Sequence, residues 1–413
     1  MMRDIFTKVT LIIVLIIIAP VCAYLFYTTA VEMRADRAAI FAETDTVFEK
    51  AQAAINYLNN KYNENMPLKT NFIEANGFFQ RAVGKQFIED VEVMYSIVKD
   101  ENGELYFTGY WQTENVFDQK NLPVLMQEIK ALDSALSKED IPLVYIAAPE
   151  KYIKGYTEFP DIIHNYNNDK VDSFLSALDQ TDIPHLDLRK VISEPAADKS
   201  NLFYYTDHHW QSDASFDAAW AIGDYLNQTL GFNIDPHDYY SNSANYLRDE
   251  YPRSFVGSQG RRVGRYYTRL DDFTLIYPAF ATDYVMTYYS GQEKTRSGDF
   301  VSALVFDEYI NNDDVYTNRY AAWLGGDHAL LTIDNKLQDD YKLLIVKDSF
   351  TSPAACFLST AVNEIKLVDL RQYNNSLTDL ALSYQPDAFI ILYSSSGLNE
   401  AMFDFDNNMA ESQ

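Results

Sequence analysis

The feature that most constrains the fold is a repeated alternation of helix-patterned segments with short, continuous apolar runs. The run "IPLVYIAAPE" (141–150) follows the helical pattern of residues 121–140, and "IPHLDL" (183–188) follows the helical pattern of residues 171–180. Continuous apolar runs are typical of parallel strands that are buried on both faces. Because such runs alternate with helices, the sequence predicts an α/β domain with a mostly parallel sheet flanked by helices.

The alternation is interrupted between about residues 231 and 340. This region is rich in Tyr, Asn, Asp and Gly and holds short alternating stretches such as "YVMTYY" (284–289). We expect it to be a long irregular insertion with small strands of its own. Nearer the N-terminus, "VEVMYSIVKDENGELYFTGY" (91–110) predicts two strands joined by a turn at Glu101, Asn102 and Gly103.

The N-terminal region contains a segment, Val9 to Val31, without any charged residue. It exceeds the ~20 residues that a helix needs to cross a bilayer. Arg3 and Lys8 precede it, which favours a cytoplasmic N-terminus and an exported remainder, although Arg34 and nearby Arg37 weaken the asymmetry. A cleaved signal peptide, with "VCA" as a poor cleavage site, is the alternative.

We therefore expect a single-pass protein of the cell membrane whose C-terminal part is extracytoplasmic. Helical spacing of apolar residues continues beyond the apolar segment to about residue 60. The expected parts are a cytoplasmic tail (1–8), a transmembrane anchor (9–31), a helical stalk (32–90) and the α/β domain (91–413).

Charge and cysteine content exclude some classes of partner and cross-link. The formal net charge of −27 disfavours nucleic acid as a partner, because phosphate binding needs clustered Lys and Arg. Of the two cysteines, Cys22 lies inside the apolar segment, so a disulfide with Cys356 is not expected.

A serine follows one of the predicted strands, in "KLLIVKDSFTSPAA" (342–355). Ser349 lies between this strand and a predicted helix, at the edge of the sheet where α/β proteins bind ligands. Ser352, just before Pro353, is the more natural N-cap, which leaves Ser349 free to act as a nucleophile; a capping role for Ser349 is the alternative. A nucleophilic serine needs an adjacent base, and N–H groups at the helix start can serve as oxyanion donors.

The base is predicted from "YYTDHHWQSD" (204–213). In a turn, the carboxylate of Asp207 can reach the Nδ1–H of His209, which leaves Nε2 free to take a serine proton. Two alternatives remain open for this segment. One is a metal site of His208, His209 and Asp213, joined by Asp327 and His328; the other is a purely structural cluster.

Three further residues are candidates for the same site. Arg371, after the predicted strand "IKLVDL", either binds a carboxylate or acyl carbonyl or forms an ion pair with Asp369. Ser258 either donates to an oxyanion or shapes a loop. Trp210 is expected to wall the site and exclude water.

"YYTDHHWQSDASFDAAW" resembles the DHHW family, and it is similar to the Asp-x-His-Trp segment of alginate O-acetyltransferase-like proteins with the SGNH hydrolase fold. Other stretches fall in the order that the resemblance implies: "IPLVYIAAPEKYI" with Lys151 at the Pro-x-Lys position, "RSFVGSQGRRVG", "YAAWLGGDHALLTIDN", "LLIVKDSF" and "IKLVDLRQYN". The similarity runs from about Val91 to Tyr393. In this family the Asp-x-His pair precedes the serine, as it does here, while Lys347 departs from the Gly of the acetyltransferase branch.

The resemblance implies an SGNH-like fold and an exported O-acetyltransferase of a cell-surface polysaccharide. Ser349, His209 and Asp207 would form its triad, and Arg371, Ser258, Lys151 and Trp210 would bind substrate or the oxyanion. It also implies a polytopic membrane acyltransferase as the partner that delivers the acetyl group, with neither metal nor cofactor needed. The alternatives are a carbohydrate acetyl esterase that uses the same site and a non-catalytic glycan-binding or assembly protein.

Overall fold

A computed structural model describes most of the chain beyond residue 68. The described residues are 24, 27–28, 31–34, 36–40, 50, 53–54, 57, 69–90, 95–108, 117–157, 159, 165–192, 202–289 and 291–406. Within them, no helix has both the length and the apolar character that crossing a bilayer requires. The predicted cytoplasmic tail, nearly all of the predicted anchor at 9–31 and most of the stalk up to residue 68 lie outside the described residues.

Contacts divide the chain into two units, Met1–Ala75 and Asn76–Gln413. In the first unit, the Tyr57 hydroxyl donates a hydrogen bond to Asp36 at 2.8 Å. The described helices are α1 (Arg37–Ile40), α2 (Lys69–Ala82), α3 (Leu122–Leu136), α4 (Asn167–Leu178), α5 (Leu188–Ile192), α6 (Ser212–Leu230), α7 (Gly260–Val263), α8 (Phe300–Leu304), α9 (Thr351–Leu358) and α10 (Leu377–Tyr384).

The second unit is built on a large sheet and two small ones. The strands are β1 (Phe87–Ile88), β2 (Ile97–Lys99), β3 (Leu105–Phe107), β4 (Leu143–Ala147), β5 (His185–Asp187), β6 (Tyr246–Phe255), β7 (Asp271–Pro278), β8 (Tyr284–Tyr289), β9 (Glu293–Gly298), β10 (Leu330–Asn335), β11 (Lys342–Lys347), β12 (Glu364–Val368) and β13 (Ala388–Tyr393). The large sheet has the order β5-β4-β13-β11-β12-β10-β8-β9, and β1-β2-β3 and β6-β7 form the small sheets.

The predicted helix and strand alternation is confirmed in the first five strands of the large sheet, which are parallel. Strands β4 and β13 are buried along their whole length, as their continuous apolar runs predict. Because successive side chains point to opposite faces, Ile345 of β11 joins one apolar core, while Leu344 and Val346 join the other. Helices α6 and α9 contribute to the first core, and α3, α4 and α10 contribute to the second.

The region from 231 to 340 is only in part the separate insertion that we predicted. Strands β6 and β7 form a hairpin sheet of their own, but β8, β9 and β10 continue the large sheet in antiparallel pairings. The sheet is therefore mixed, and the prediction of a mostly parallel sheet is corrected. The physical reason is visible in β10, where buried and half-buried residues alternate, a pattern typical of antiparallel strands with one face toward the core.

The predicted hairpin near the start of this unit is confirmed. Strands β2 and β3 pair antiparallel, with Lys99 opposite Leu105. Gly103 takes a positive φ of 89° in the connecting turn, a conformation that favours glycine. The hairpin is joined to the rest of the unit, since the Leu105 N–H donates to the Tyr205 carbonyl at 2.8 Å.

Candidate active site

The predicted nucleophile lies at the carboxyl end of a central strand. Ser349 follows β11 directly and precedes α9, and its side chain is half-buried. The neighbouring Asp348 is buried, and its carboxylate accepts hydrogen bonds from the N–H groups of Phe350 at 3.0 Å and Ser394 at 2.7 Å. These bonds fix the turn to the end of β13, so Ser349 is presented at the edge of the sheet.

The helix after this turn begins two residues earlier than predicted. Phe350 is the N-cap of α9, and Ser352 lies within its first turn, so the prediction of Ser352 as N-cap was wrong. The Ser352 hydroxyl instead accepts a hydrogen bond from Lys347 Nζ at 3.3 Å. Burial of Lys347 explains the difference, because a buried ammonium group needs polar partners that a capping serine would not supply.

The structure brings Asp207, His209 and Ser349 into one hydrogen-bonded chain. His209 Nε2 lies 2.6 Å from Ser349 Oγ, and His209 Nδ1 lies 2.6 Å from Asp207 Oδ1. An ionised carboxylate can only accept, so Nδ1 carries the proton and Nε2 accepts from the serine hydroxyl. This arrangement has the geometry that nucleophilic activation of a serine requires.

The loop that carries Asp207 and His209 is held at both of its ends. Phe203 and Trp210 form an isolated antiparallel bridge, and the Tyr204 N–H donates to the His209 carbonyl at 3.2 Å. Within the loop, the His209 N–H donates to Asp207 Oδ1 at 3.0 Å. The i, i+2 contact that the sequence predicted is thus made by both the backbone and the side chain of His209.

Asp207 is buried and ionised. Burial by itself would raise the pKa of its carboxyl, but electrostatic interaction with the imidazoles of His209 and His208 and hydrogen bonds from His209 and the Ser258 N–H hold that pKa well below its usual value. The Ser258 N–H donates to Oδ2 at 2.7 Å. A Cβ on Gly257 would lie 2.5 Å from the same oxygen, so the absence of a side chain at residue 257 permits this close approach.

Asp271 stabilises this loop by hydrogen bonds, although no pattern in the sequence indicated this residue. Its carboxylate accepts hydrogen bonds from the N–H of Tyr205 at 2.6 Å and from the N–H and the hydroxyl of Thr206 at 2.7 Å and 2.5 Å. The Thr206 hydroxyl in turn accepts from the Gly257 N–H at 2.7 Å. The buried Asp271 therefore positions both segments that contact Asp207.

An aromatic ring stacks on His209, the predicted base. This ring is not Trp210, which was predicted to wall the site. The Tyr320 ring lies parallel to His209 with 3.8 Å between ring centroids. This residue opens the quoted stretch "YAAWLGGDHALLTIDN", but no role was predicted for it. Trp210 is fully buried and meets the edge of Phe350 at 5.5 Å. Phe350 contacts His209 at 5.1 Å, so Trp210 lies behind the ring that contacts the base.

Two of the residues proposed for substrate or oxyanion binding are occupied by internal contacts. Lys151 is buried, and its ammonium donates to the carbonyls of Leu105 and Tyr205 at 2.7 Å and 2.8 Å and to Gln259 at 3.4 Å. These acceptors use all three of its donors. The Ser258 hydroxyl forms a hydrogen bond of 2.7 Å with His208 Nδ1. Both side chains join segments around Asp207, which favours positioning over substrate contact.

Arg371 forms the ion pair that was one of its two predicted roles. Its guanidinium donates to Asp369 at 2.8 Å and 2.5 Å and to Asp327 at 2.8 Å. Asp327 also accepts from Lys347 Nζ at 2.5 Å. Although burial would raise it, the pKa of Asp327 is lowered to about 2 by Lys347 and Arg371.

The residues considered as metal ligands are not all brought together. Asp207, His208 and His209 place one ligand atom each within 4.8 Å of one another. Asp213, in contrast, pairs with Arg248 at 2.6 Å and 2.8 Å. The remaining two candidates are also engaged elsewhere: Asp327 in the ion pairs above, and His328, whose Nε2 bonds the Leu324 carbonyl at 2.9 Å.

Comparisons with known proteins agree with this architecture. Residues 97–250 match the family model described as "ALGX: SGNH hydrolase-like domain, acetyltransferase AlgX". Bacillus cereus PatB1, solved with a sulfonyl adduct, shares 19% identity and a TM-score of 0.62, with 75% of this chain and 98% of that chain covered. A DHHW family protein from Eubacterium siraeum shares 16% identity and a TM-score of 0.56 over 77% and 97%.

A comparison with curated protein sequences gives no match. The resemblance predicted from the sequence is nevertheless confirmed by the family model and by the shared fold. The α/β unit of this chain has an SGNH-like fold with a mixed sheet flanked by helices, and the chain is similar to DHHW proteins and to acetyltransferases of the SGNH hydrolase-like type.

Proposed function

We propose that this protein is an O-acyltransferase that forms an acyl-serine intermediate and passes the acyl group to a sugar hydroxyl of a cell-surface polysaccharide. The observation that carries the proposal is the hydrogen-bonded chain from Ser349 Oγ through His209 to Asp207, with both contacts at 2.6 Å. The match of residues 97–250 to an acetyltransferase domain supports acetyl as the group transferred.

In the first half-reaction Ser349 Oγ attacks the carbonyl carbon of an acetyl ester and gives its proton to His209 Nε2. The buried carboxylate of Asp207 stabilises the imidazolium that results. When the tetrahedral intermediate collapses, the leaving alcohol takes that proton from His209 and acetyl-Ser349 remains. In the second half-reaction the acceptor hydroxyl attacks the carbonyl carbon of acetyl-Ser349 and His209 takes the proton of this hydroxyl. His209 then returns that proton to Ser349 Oγ as the intermediate collapses and the acetylated acceptor leaves.

The proposal includes the setting that the sequence predicts. The apolar segment 9–31 would anchor the protein in the cell membrane with the catalytic domain outside, and a polytopic membrane acyltransferase would supply the acetyl group. If water replaces the sugar hydroxyl, the same residues make the protein an acetyl esterase. Ser349 is half-buried rather than fully enclosed, which makes hydrolysis the natural second candidate.

The test is turnover of 4-nitrophenyl acetate by wild-type protein and by Ser349→Ala, with Ser383→Ala as the matched control. Ser383 is an exposed serine on α10 whose hydroxyl bonds the Leu380 carbonyl. We expect Ser349→Ala to abolish turnover and Ser383→Ala to keep it. Equal rates for wild type and Ser349→Ala would refute the proposal.

A second readout separates the three candidate functions. A sulfonyl fluoride should transfer its sulfonyl group to Ser349 Oγ with loss of HF, which adds the mass of the reagent less HF to the peptide containing Ser349, since a protein of the same fold has been solved with a sulfonyl adduct. An acetylated oligosaccharide among the products identifies a transferase, and free acetate alone identifies an esterase. Glycan binding without labelling of Ser349 identifies a non-catalytic binding protein.

A further inference from the structure

A cavity of about 340 Å³ lies beside the hydrogen-bonded chain of Ser349, His209 and Asp207. Its volume falls within the ~300–1,000 Å³ that is usual for ligand sites. Two of its walls adjoin that chain: His208 precedes His209, and Phe350 follows Ser349. The ring centroids of His208 and His209 are 3.8 Å apart. A molecule held in this cavity therefore lies next to the reacting groups.

Aromatic rings dominate the walls on the side of the β2–β3 hairpin. Phe107 and Tyr106 come from β3, Tyr95 lies just before β2, and Tyr152 follows β4. Their rings are arranged edge-on or tilted, as in the pairs of Tyr95 with Phe107 at 5.7 Å and of Phe107 with His208 at 6.1 Å. Flat aromatic faces offer large apolar contact areas to ligands of similar shape, such as the faces of sugar rings.

The polar groups of the cavity are suited to hydroxyl groups. The Glu150 carboxylate accepts two hydrogen bonds: Oε1 accepts from the Ser395 hydroxyl, and Oε2 accepts from Asn167 Nδ2 at a distance of 2.5 Å. These bonds use two of its about four acceptor positions. The remaining lone pairs, the amide of Asn165 and the exposed hydroxyl of Ser396 supply both acceptors and donors. Such a mixture matches hydroxyls, which both donate and accept.

The charges in the cavity disfavour an anionic sugar. Among its described lining residues, Glu150 is the only carboxylate and Lys151 the only ammonium. The three donors of Lys151 are used by Leu105, Tyr205 and Gln259, so it has none left for a ligand. Burial raises the pKa of Glu150, and the charge of Lys170 opposes this shift from outside the lining, where its ammonium donates to the Ser395 carbonyl at 3.3 Å. A carboxylate on the ligand would meet Glu150 without a cation in the cavity lining to pair with, and an unpaired charge is costly to desolvate.

From this arrangement we propose that the cavity between the β2–β3 hairpin and His208 binds the acceptor. The acceptor is a neutral, hydroxyl-rich sugar and not a uronic acid, and Glu150 selects for the neutral sugar. The inference rests on the proposed transferase function for the identity of the ligand as acceptor. The cavity itself, its aromatic walls and its single carboxylate do not depend on the chemistry at Ser349.

The test is direct binding to full-length Ser349→Ala protein in detergent, so that no acyl transfer is needed. The probes are a neutral β-linked glucose hexasaccharide and an oligogalacturonate of the same length, titrated by calorimetry at low ionic strength. We expect the neutral sugar to bind and the uronate to bind at least about tenfold more weakly, because like charges repel most at low salt.

Variants then locate the binding site. Phe107→Ala should weaken binding of the neutral sugar by at least about fivefold through lost aromatic contact. Tyr239→Ala is the matched control, since Tyr239 is an exposed aromatic residue that does not line the cavity. Glu150→Gln should improve uronate binding and so narrow the difference in affinity between the two probes. A merely destabilised variant would not produce this effect.

The outcomes distinguish this inference from the proposed function. Any of three results would overturn the inference: uronate binding as tight as that of the neutral sugar, no binding of the neutral sugar, or unchanged binding of the neutral sugar in Phe107→Ala. These results would leave ester turnover untouched. Absent ester turnover in the wild type, with binding and its variant pattern intact, would instead remove the transferase and leave a neutral-sugar binding site.

Discussion

Replacing Asp207 by Asn tests how the carboxylate acts on His209, because the structure predicts the orientation of the new amide. Two N–H groups of His209 point at Oδ1, from the backbone at 3.0 Å and from Nδ1 at 2.6 Å. One N–H, that of Ser258, points at Oδ2 at 2.7 Å. The amide oxygen should therefore stay toward His209, where it satisfies two donors, and the NH₂ group should face Ser258.

The magnitude follows from this orientation. The imidazole keeps its tautomer but exchanges a charge-assisted hydrogen bond of ~1.5–3 kcal/mol for a neutral one of ~0.5–1.5 kcal/mol. The net loss of about 1–1.5 kcal/mol corresponds to a decrease in acylation rate of roughly 5- to 13-fold. The Ser258 N–H loses its acceptor, which should lower the free energy of unfolding by about 1–3 kcal/mol. In the opposite orientation His209 would take the other tautomer, and the loss would approach ~10⁴-fold.

The assay is the pre-steady-state burst of 4-nitrophenol from 4-nitrophenyl acetate, with urea unfolding of the same samples. Asp213→Asn is the control, because Asp213 is an exposed aspartate paired with Arg248. A rate within twofold of wild type would refute a role for Asp207 in acylation. A loss near ~10⁴-fold would refute the predicted amide orientation.

Two more predictions follow from the same site. Gly257→Ala should displace Asp207, since the new Cβ would lie 2.5 Å from its Oδ2, and should reduce ester turnover by at least about tenfold. Gly223→Ala is the control and should keep turnover, because a Cβ at residue 223 makes ordinary contacts of 3.5 Å or more. Equal activities of the two variants would contradict the argument. Because the pKa of Asp327 is lowered to about 2 in the folded state, the stabilising effect of its carboxylate is present above pH ~4 and lost as the pH falls to ~2. Acid unfolding followed by circular dichroism should show that Asp327→Asn loses up to about 2 kcal/mol of this pH dependence of the free energy of unfolding. An unchanged dependence of the free energy of unfolding on pH in this range would refute the prediction.

The parts of the fold that the sequence predicted are those specified by local patterns. The buried runs of β4 and β13 and the turn at Gly103 are each encoded within a few adjacent residues. The contact of Asp207 with His209 spans only two positions, so its geometry could be inferred from the loop itself. Pairing of His209 with Ser349, which lies 140 positions away, was predicted because a nucleophilic serine needs an adjacent base, and the resemblance to known proteins supported it.

What the sequence did not predict depends on contacts between distant and irregular segments. Tyr320 stacks on His209 from a short 3-10 helix, and Asp271 reaches Thr206 from the first residue of β7. Asp271 stands in none of the quoted motifs, and Tyr320 opens the stretch "YAAWLGGDHALLTIDN" without a predicted role; tyrosine and aspartate are common in that region. The antiparallel extension by β10 was missed because its alternating pattern fits a separate small sheet equally well.

The order of strands in the large sheet has a consequence for synthesis of the protein. Strand β13 lies between β4 and β11, although it is the last strand in the part of the chain that the structure describes. A growing polypeptide therefore cannot join its early strands to the one preceding Ser349 until residues 388–393 have emerged from the ribosome. Nascent chains that end before this point lack the strand between β4 and β11 and therefore cannot complete the sheet edge that presents Ser349.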